Sequence, residues 1–207
     1  MKELLWSSPI TVDYLENQLH KGEVVLAEGD TVLGLLADIS EKGYEQLDYI
    51  KNREKKPYLL IVGDYKKALN FIEIEPGKLF QFENLMKTCW PGPVTLIFKA
   101  KRDSAVQIKS SNGNIALRVP CHSGLLKLLT KFDALFSTSA NISGQPVPYN
   151  VAQVDHHVLN AVACVVLNDV TEKEGAYLPS TIIDCTGDKL MVVRQGAFEI
   201  ALLKEFF

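Results

Sequence analysis

The chain reads Ser-Thr-Ser-Ala-Asn-Ile-Ser-Gly at residues 137–144, directly after the apolar run Ala-Leu-Phe at 134–136. This pattern predicts a buried strand that ends in a tight polar loop, and Pro146 and Pro148 block regular structure beyond it. Short hydroxyl and amide side chains hydrogen-bond to the backbone and to ligands, so such a loop can hold a polar ligand closely. The same composition also fits an ordinary surface turn. The stretch alone favours neither interpretation, and the rest of the chain has to decide.

Outward from this stretch, apolar runs of strand length alternate with segments of helical periodicity. The sequence predicts strands at residues 23–27, 32–36, 59–62, 94–98, 115–119, 162–167, 180–184 and 190–193. It predicts helices at residues 11–20, around 44–50, and at 79–88, 125–129 and 197–204. Because some strands follow one another through a turn alone, part of the pairing is expected to be antiparallel. We therefore expect one domain, residues 1–207, with an α/β fold: an open, twisted sheet of mixed parallel and antiparallel strands with flanking helices.

The composition is that of a globular protein, with 47% apolar and 23% charged residues among 207. A net charge of −3 excludes a basic coat for non-specific nucleic-acid binding, although it allows a local basic patch. The sequence shows neither a secretory leader nor an apolar run of membrane-spanning length. The cysteines are far apart, which favours buried thiols in a reducing compartment; they are Cys89, Cys121, Cys164 and Cys185. We expect a soluble cytoplasmic protein.

Four cationic residues are candidates for a binding site. Lys51 and Arg53 combine a point charge with a planar fork, which suits a polyphosphate chain, although a basic helix end that complements the helix dipole is the alternative. Arg118 lies inside an apolar strand, where it either points out into solvent or lines a cavity and needs an anionic partner; we favour the cavity. Arg194 ends a strand, and a solvated position is equally compatible with the sequence.

Several familiar catalytic motifs are absent from the sequence. There is no G-x-x-x-x-G-K-[ST] loop, and no G-x-G-x-x-G follows a strand. There is no G-x-S-x-G elbow, and the serines of residues 137–144 have no obvious histidine partner. His156 and His157 are adjacent and cannot share one ligand face, so neither a zinc site nor a hydrolytic triad is expected.

Seven motifs in their order along the chain resemble those of the YrdC/TsaC family, the L-threonylcarbamoyladenylate synthases. They are DTVLGL at 30–35, KNR at 51–53, WPGPVT at 90–95, ALRVP at 116–120, STSANISG at 137–144, STIID at 180–184 and VRQGA at 193–197. The resemblance spans residues 24–197 and is to the short form without an additional C-terminal domain. It implies the YrdC-like fold, in which the sheet surrounds a concave, basic cavity.

The resemblance also implies a reaction. Threonine, bicarbonate and ATP, with Mg²⁺ on the phosphates, would give threonylcarbamoyl-AMP and pyrophosphate. Downstream transferase proteins would use the product to form N6-threonylcarbamoyladenosine in tRNA, and weak binding of tRNA or other RNA is a further expectation. The carbamate of threonine is already an anion, so its attack on the α-phosphate needs positioning and charge neutralisation more than a strong base.

The motifs assign roles to nine residues. Those implied for ATP are Lys51, Arg53, Ser139, Asn141 and Arg194. Those implied for threonine or its carbamate are Thr31, Arg118, Ser137 and Ser180. The residues implied to be catalytic are Lys51, Arg53 and Arg118.

The sequence departs from the family pattern near the expected site. Residues 28–29 read Glu-Gly where the family usually has Pro-Thr, and Leu33 replaces a usual Tyr. Glu54 stands where many relatives have Pro, and residues 59–62 contain no His. One alternative is a catalytically silent member that binds RNA or nucleotide through the same cavity. Another is a carbamoyl-transfer role as in hydrogenase-maturation proteins, whose acylphosphatase-like and zinc-finger segments are not found in this sequence.

Overall fold

The structure, a computed structural model, describes residues 2–53, 57–103, 112–169 and 178–206. In these ranges the α-helices are α1 (Thr11–His20), α2 (Glu41–Lys51), α3 (Tyr65–Ala68), α4 (Leu79–Cys89), α5 (Ser123–Leu128) and α6 (His156–Ala161). The strands are β1 (Lys2–Leu5), β2 (Val25–Ala27), β3 (Gly34–Asp38), β4 (Leu59–Ile61), β5 (Val94–Lys99), β6 (Asn114–Arg118), β7 (Leu135–Ser139), β8 (Cys164–Leu167), β9 (Thr181–Asp184) and β10 (Met191–Arg194). No helix of this part of the chain is long and apolar enough to cross a membrane.

The strands form one sheet in the order β1-β8-β2-β3-β7-β4-β6-β5-β9-β10. Strand β8 pairs in parallel with β1 and β2, and the pairs β4–β6 and β5–β9 are also parallel. The remaining neighbours, among them the β9–β10 hairpin, are antiparallel. The predicted mixed sheet with flanking helices is confirmed.

Alternation of side chains along the strands creates two apolar cores on opposite faces of the sheet. On one face, residues such as Leu35, Phe136 and Leu117 pack with buried side chains of α2, α4 and α6. On the other face, residues such as Leu36 and Leu135 pack with buried side chains of α1 and α5. Burying each such side chain stabilises the fold by about 1.5–3 kcal/mol. The helices α1 and α5 pack near β1, β8, β2 and β3, and beyond them the same face continues into a cleft.

Strand β7 is longer than predicted. It continues through Ser139, because Gly34 and Leu36 of β3 pair with Ser139 and Ser137, and β4 pairs with the opposite edge of β7. The first three residues of the predicted polar loop are therefore strand. Since Ser137 and Ser139 are two residues apart, their side chains face the same side of the sheet.

The C-terminal helix predicted at 197–204 begins later in the structure and is not a regular α-helix. The segment Ile200–Phe206 is a 3₁₀ helix, and Leu203 has non-helical dihedral angles within it. Thr181 explains the late start, because its hydroxyl donates to the carbonyl of Phe198 (2.9 Å) and accepts from the amide of Phe198 (3.1 Å). Both backbone groups of Phe198 are thus fixed to β9. Three short elements, β1, α3 and α6, were not predicted because their four to six residues show too little periodicity.

Gly43 offers a test of the packing between α2 and β3. A methyl group at Gly43 would overlap the carbonyl of Asp38, whereas one at Gly77 meets nothing within 4 Å. We expect Gly43→Ala to lower the free energy of unfolding by about 1–3 kcal/mol because the backbone must move to make room. Gly77→Ala, the matched control, should change it by less than about 0.5 kcal/mol. Urea titration measures both values, and equal unfolding midpoints would contradict this packing.

Candidate active site

The cleft lies beyond α1 and α5, on the face of the sheet that these helices cover in part, and has a volume of about 430 Å³. Alternate residues of β3, β4, β5, β6 and β7 line the cleft, because residues two apart along a strand lie on the same face of the sheet. Its polar lining includes Thr31, Arg53, Tyr58, Thr95, Arg118, Ser137, Ser139, Ser180 and Arg194. The structure therefore brings seven of the nine predicted site residues together. The other two, Lys51 and Asn141, lie behind this lining.

Arg118, at the end of β6, is paired with an acidic residue. Its Nη1 donates to both carboxylate oxygens of Asp30, at 3.1 and 3.2 Å, and the side chains are only 6% and 9% exposed. The amide of Cys121 also donates to Asp30, at 2.8 Å. Burial lowers the pKa of the Arg118 guanidinium, and Asp30 opposes this effect. The predicted position of Arg118, at a cavity wall with an anionic partner, is confirmed.

One atom of Arg118 is not satisfied. Among the described residues, the buried Nε of Arg118 has no hydrogen-bond partner. Leaving a buried donor unpaired costs about 1–3 kcal/mol, and more on a charged group. Such exceptions are rare in native structures, and each one needs an explanation. Arg118 lines the cleft, so this unpaired donor lies within the wall of the cleft.

Arg194, on the edge strand β10, is exposed, but its guanidinium is anchored at the cleft. Its Nε and Nη2 both donate to the carbonyl of Ser180, at 3.1 and 2.8 Å. The hydroxyl of Ser180 lies 2.8 Å from that of Thr95 and accepts a longer bond from Arg194 Nη2. Gly196 makes this anchoring possible, because any side chain there would overlap the backbone of residues 179–180. The partners of the Arg194 guanidinium are neutral, so its charge is not compensated by them.

Arg53 follows the end of α2. The helix ends at Asn52, which adopts the left-handed conformation (φ 48°). The Arg53 guanidinium then lies over the ring of Tyr58, with Cζ 4.1 Å from the ring centroid. A cation over an aromatic face is stabilised by about 0.5–2 kcal/mol. Residues 54–56, which include Glu54, lie outside the described residues.

Lys51 holds the loop that follows β7. Its side chain is buried, and its Nζ donates to the carbonyls of Ser139 (2.6 Å) and Asn141 (2.5 Å) and to Oδ1 of Asn141 (2.9 Å). The hydroxyl of Ser139 donates to the same Oδ1, and the amide of Ser143 donates to the carbonyl of Lys51. These bonds occupy all three N–H groups of the ammonium, so the predicted phosphate contact of Lys51 stays a prediction. Burial, with Arg53 nearby, lowers the pKa of Lys51 to about 8.

Three side chains in or beside the cleft were not assigned from the sequence: Thr95 and Tyr58 line it, and Asp30 lies next to it. Asp30 and Thr95 lie within two of the quoted motifs, which was the available signal. Tyr58 carried no such signal, because it belongs to none of these motifs. The expectation of buried cysteines holds for Cys89, Cys164 and Cys185 but is wrong for Cys121, which is exposed beside Asp30.

Comparison with known proteins identifies the family. Residues 17–196 match the family model Sua5_yciO_yrdC, whose description is "Telomere recombination". The chain belongs to the Sua5/YciO/YrdC family. This confirms the family predicted from the order of the motifs.

A curated relative and two solved structures illustrate the similarity. The threonylcarbamoyl-AMP synthase of Blochmanniella pennsylvanica (strain BPEN) is 31% identical over 190 residues, which cover 90% of this chain and 95% of that protein. E. coli YciO matches with a TM-score of 0.77 and 19% identity, covering 100% of this chain and 98% of YciO. P. abyssi Sua5 complexed with L-threonine matches with a TM-score of 0.83 and 23% identity over 99% of this chain. This chain spans 60% of that Sua5 chain.

Lys51→Met tests the lysine that holds the loop. The change keeps the buried stem and removes three hydrogen bonds from a charged donor, so we expect the dissociation constant for ATP to rise about tenfold or more. ATP remains a polyanion at alkaline pH, so loss of the Lys51 proton should weaken its binding. Because the pKa of Lys51 is lowered to about 8, wild-type affinity should fall as the pH rises through that value. Calorimetry over this pH range measures both effects.

Lys67→Met is the control for this experiment, since Lys67 also donates to two backbone carbonyls, those of Leu129 and Phe132, but does not line the cleft. It should leave ATP affinity and its pH dependence unchanged. The same pH dependence in wild type and Lys51→Met would contradict the role given to Lys51.

Proposed function

We propose that this chain is a threonylcarbamoyl-AMP synthase, a nucleotidyltransferase that joins threonine, bicarbonate and ATP. The observation that carries the proposal is the buried Arg118 with its unpaired Nε, in the same cleft as Arg53 and Arg194. Three guanidinium groups within one small cleft suit a triphosphate together with an amino-acid carboxylate or carbamate. Family membership and the names of curated relatives support this function over a silent binding protein.

We assign the residues in and around the cleft to two substrates. Arg118 would bind the carboxylate or carbamate of threonine, with the hydroxyls of Thr31, Ser137 and Ser180 as hydrogen-bonding partners nearby. Asp30 holds the guanidinium through Nη1, and Arg118 still lines the cleft. The nucleotide would be held by Arg53, Ser139, Asn141 and Arg194, and by Lys51 through the loop that it fixes.

The reaction needs no strong base in the cleft. Threonine and bicarbonate give the carbamate and water, and a carbamate oxygen then attacks the α-phosphorus of ATP. The bond from the α-phosphorus to the bridging oxygen breaks, and pyrophosphate leaves with the electron pair. Negative charge accumulates on the phosphoryl oxygens, so fixed guanidinium groups stabilise the transition state and the cleft aligns the reactants.

Mg²⁺ enters on the phosphates of ATP, as part of the nucleotide substrate. Magnesium commonly keeps several waters and binds substrate phosphates with few protein ligands. In the described part of the chain no group of three His, Cys, Asp or Glu side chains is placed to hold a metal ion. Asp30, a carboxylate next to the cleft, is engaged by Arg118. This donor set fits a metal that arrives with ATP.

The product determines the partners. Threonylcarbamoyl-AMP is a mixed anhydride, an activated acyl donor that has to be consumed by an acyl transfer. We infer that transferase proteins take it up to form N6-threonylcarbamoyladenosine in tRNA, in the cytoplasm. Contact of this chain with tRNA itself, if any, would be weak given its net charge of −3.

Pyrophosphate release tests the proposed function. The purified chain should release pyrophosphate from ATP and Mg²⁺ only when threonine and bicarbonate are both present, because the attacking group is the carbamate. Serine in place of threonine is the matched substrate control, and we expect it to react more slowly. Release that does not depend on threonine would contradict the proposal.

Variants of Arg118 separate chemistry from folding. Arg118→Ala leaves Asp30 buried without its counter-charge, which should lower the free energy of unfolding by about 3–5 kcal/mol. The double variant Arg118→Met with Asp30→Asn removes both charges and should unfold close to the wild-type midpoint. Both proteins should lose turnover by at least about 100-fold, because the missing donor stabilises charge in the transition state. A folded double variant with wild-type turnover would rule out the role of Arg118.

A further inference from the structure

We propose that Tyr58 is a positioning residue that holds Arg53 in the conformation that receives the phosphates of ATP, and that Asp48 orients Tyr58 in turn. The inference rests on the proposed function, in which Arg53 contacts the nucleotide. Tyr58 belongs to none of the seven motifs that indicate the family.

Tyr58 holds Arg53 by its ring and by its hydroxyl. The guanidinium Cζ lies 4.1 Å above the ring centroid, and Arg53 Nε is 3.3 Å from the Tyr58 hydroxyl. Arg53 Nη2 also approaches the carbonyl of Pro57, at 3.4 Å. The contact with the ring face and the two acceptors together restrict the position of the guanidinium.

Asp48 fixes the hydroxyl of Tyr58. The hydroxyl donates to Oδ1 of Asp48 at 2.8 Å, so its lone pairs are left for Arg53. Burial raises the pKa of Tyr58, and the hydrogen bond to Asp48 raises it further, so the hydroxyl keeps its proton. The ring itself cannot move easily, because it is 2% exposed and packs against Tyr44 and Phe136. Tyr58 is therefore a rigid support beneath a flexible side chain.

An arginine that is already fixed in the free protein lowers the entropic cost of binding ATP. An arginine loses rotamer entropy when it is fixed. In this chain much of that loss occurs on folding, through the contacts with Tyr58 and Pro57, so it does not weaken the binding of ATP. Tyr58 contacts Arg53, which we propose binds the phosphates. Tyr58 should therefore affect the affinity for the phosphates of the nucleotide and not the affinity for adenosine.

Tyr58→Phe tests this inference by binding measurements. The change keeps the ring and removes the hydroxyl, so the dissociation constants for ATP with Mg²⁺ and for tripolyphosphate should each rise about three- to tenfold. Adenosine binding should not change. Arg53→Ala should weaken ATP by about tenfold or more, and Tyr58→Phe should add nothing in the Arg53→Ala background, because Tyr58 acts through Arg53. In steady-state assays KM should rise for ATP and not for threonine.

Tyr65→Phe is the matched control, since Tyr65 is a partly buried tyrosine with a cation, Lys87 Nζ, 5.1 Å from its ring, outside the cleft. It should leave all three affinities unchanged. Should Tyr58→Phe not fold, Asp48→Ala takes its place and should weaken ATP in the same direction.

Several results would overturn the inference. They are an unchanged ATP affinity in Tyr58→Phe, additive effects of Tyr58→Phe and Arg53→Ala, an equal loss of adenosine affinity, or no binding of ATP by the wild-type chain. ATP binding that depends on Tyr58 as described, but without threonine-dependent pyrophosphate release, would instead remove the proposed function and leave the positioning role of Tyr58 standing.

Discussion

The ion pair between Arg118 and Asp30 is the interaction on which the site depends. Taking a guanidinium out of water costs several kcal/mol, and only a well-placed partner offsets that cost. Asp30 comes from the turn after β2 and Arg118 from the end of β6, so their pairing joins two distant segments across the open half of the sheet. The amide of Cys121 binds the same carboxylate and fixes the chain after β6. One pair thus positions two walls of the cleft.

Lys51 and Arg194, two other cations near the cleft, are held by neutral groups. Lys51 is bound by three oxygen atoms of the 139–141 segment, Arg194 by Ser180, and Arg53 by Tyr58 and Pro57. Neutral acceptors fix a side chain without cancelling its charge, and the low dielectric of a cleft strengthens its field. The cleft therefore combines Arg118, which is paired with a carboxylate, with Arg194, which neutral acceptors fix. In the function that we propose, this arrangement would favour a polyanion although the net charge of the chain is −3.

Local pattern was sufficient for α1 and for the β9–β10 pair. The bounds of α1 are those predicted, and the β9–β10 hairpin was recognised from its turn, because both depend on residues close in sequence. The continuation of β7 through Ser139 depends instead on pairing with β3, more than 100 residues away in the chain. Likewise, Lys51 was predicted at the phosphates from its charge, but its direction is set by backbone carbonyls that no motif reveals. The order of the motifs indicated the family and most of the polar residues in the cleft lining. The hydrogen bonds of each residue could be recognised only from the fold.

Mass spectrometry of a reaction with ATP, Mg²⁺, threonine and carbon-13 bicarbonate can detect the bond that we propose this cleft forms between a threonine carbamate and AMP. We expect an AMP adduct of threonine that carries a single carbon-13 atom, together with one equivalent of pyrophosphate. AMP and pyrophosphate without a labelled adduct, or an adduct of threonine and AMP without the label, would contradict the proposal.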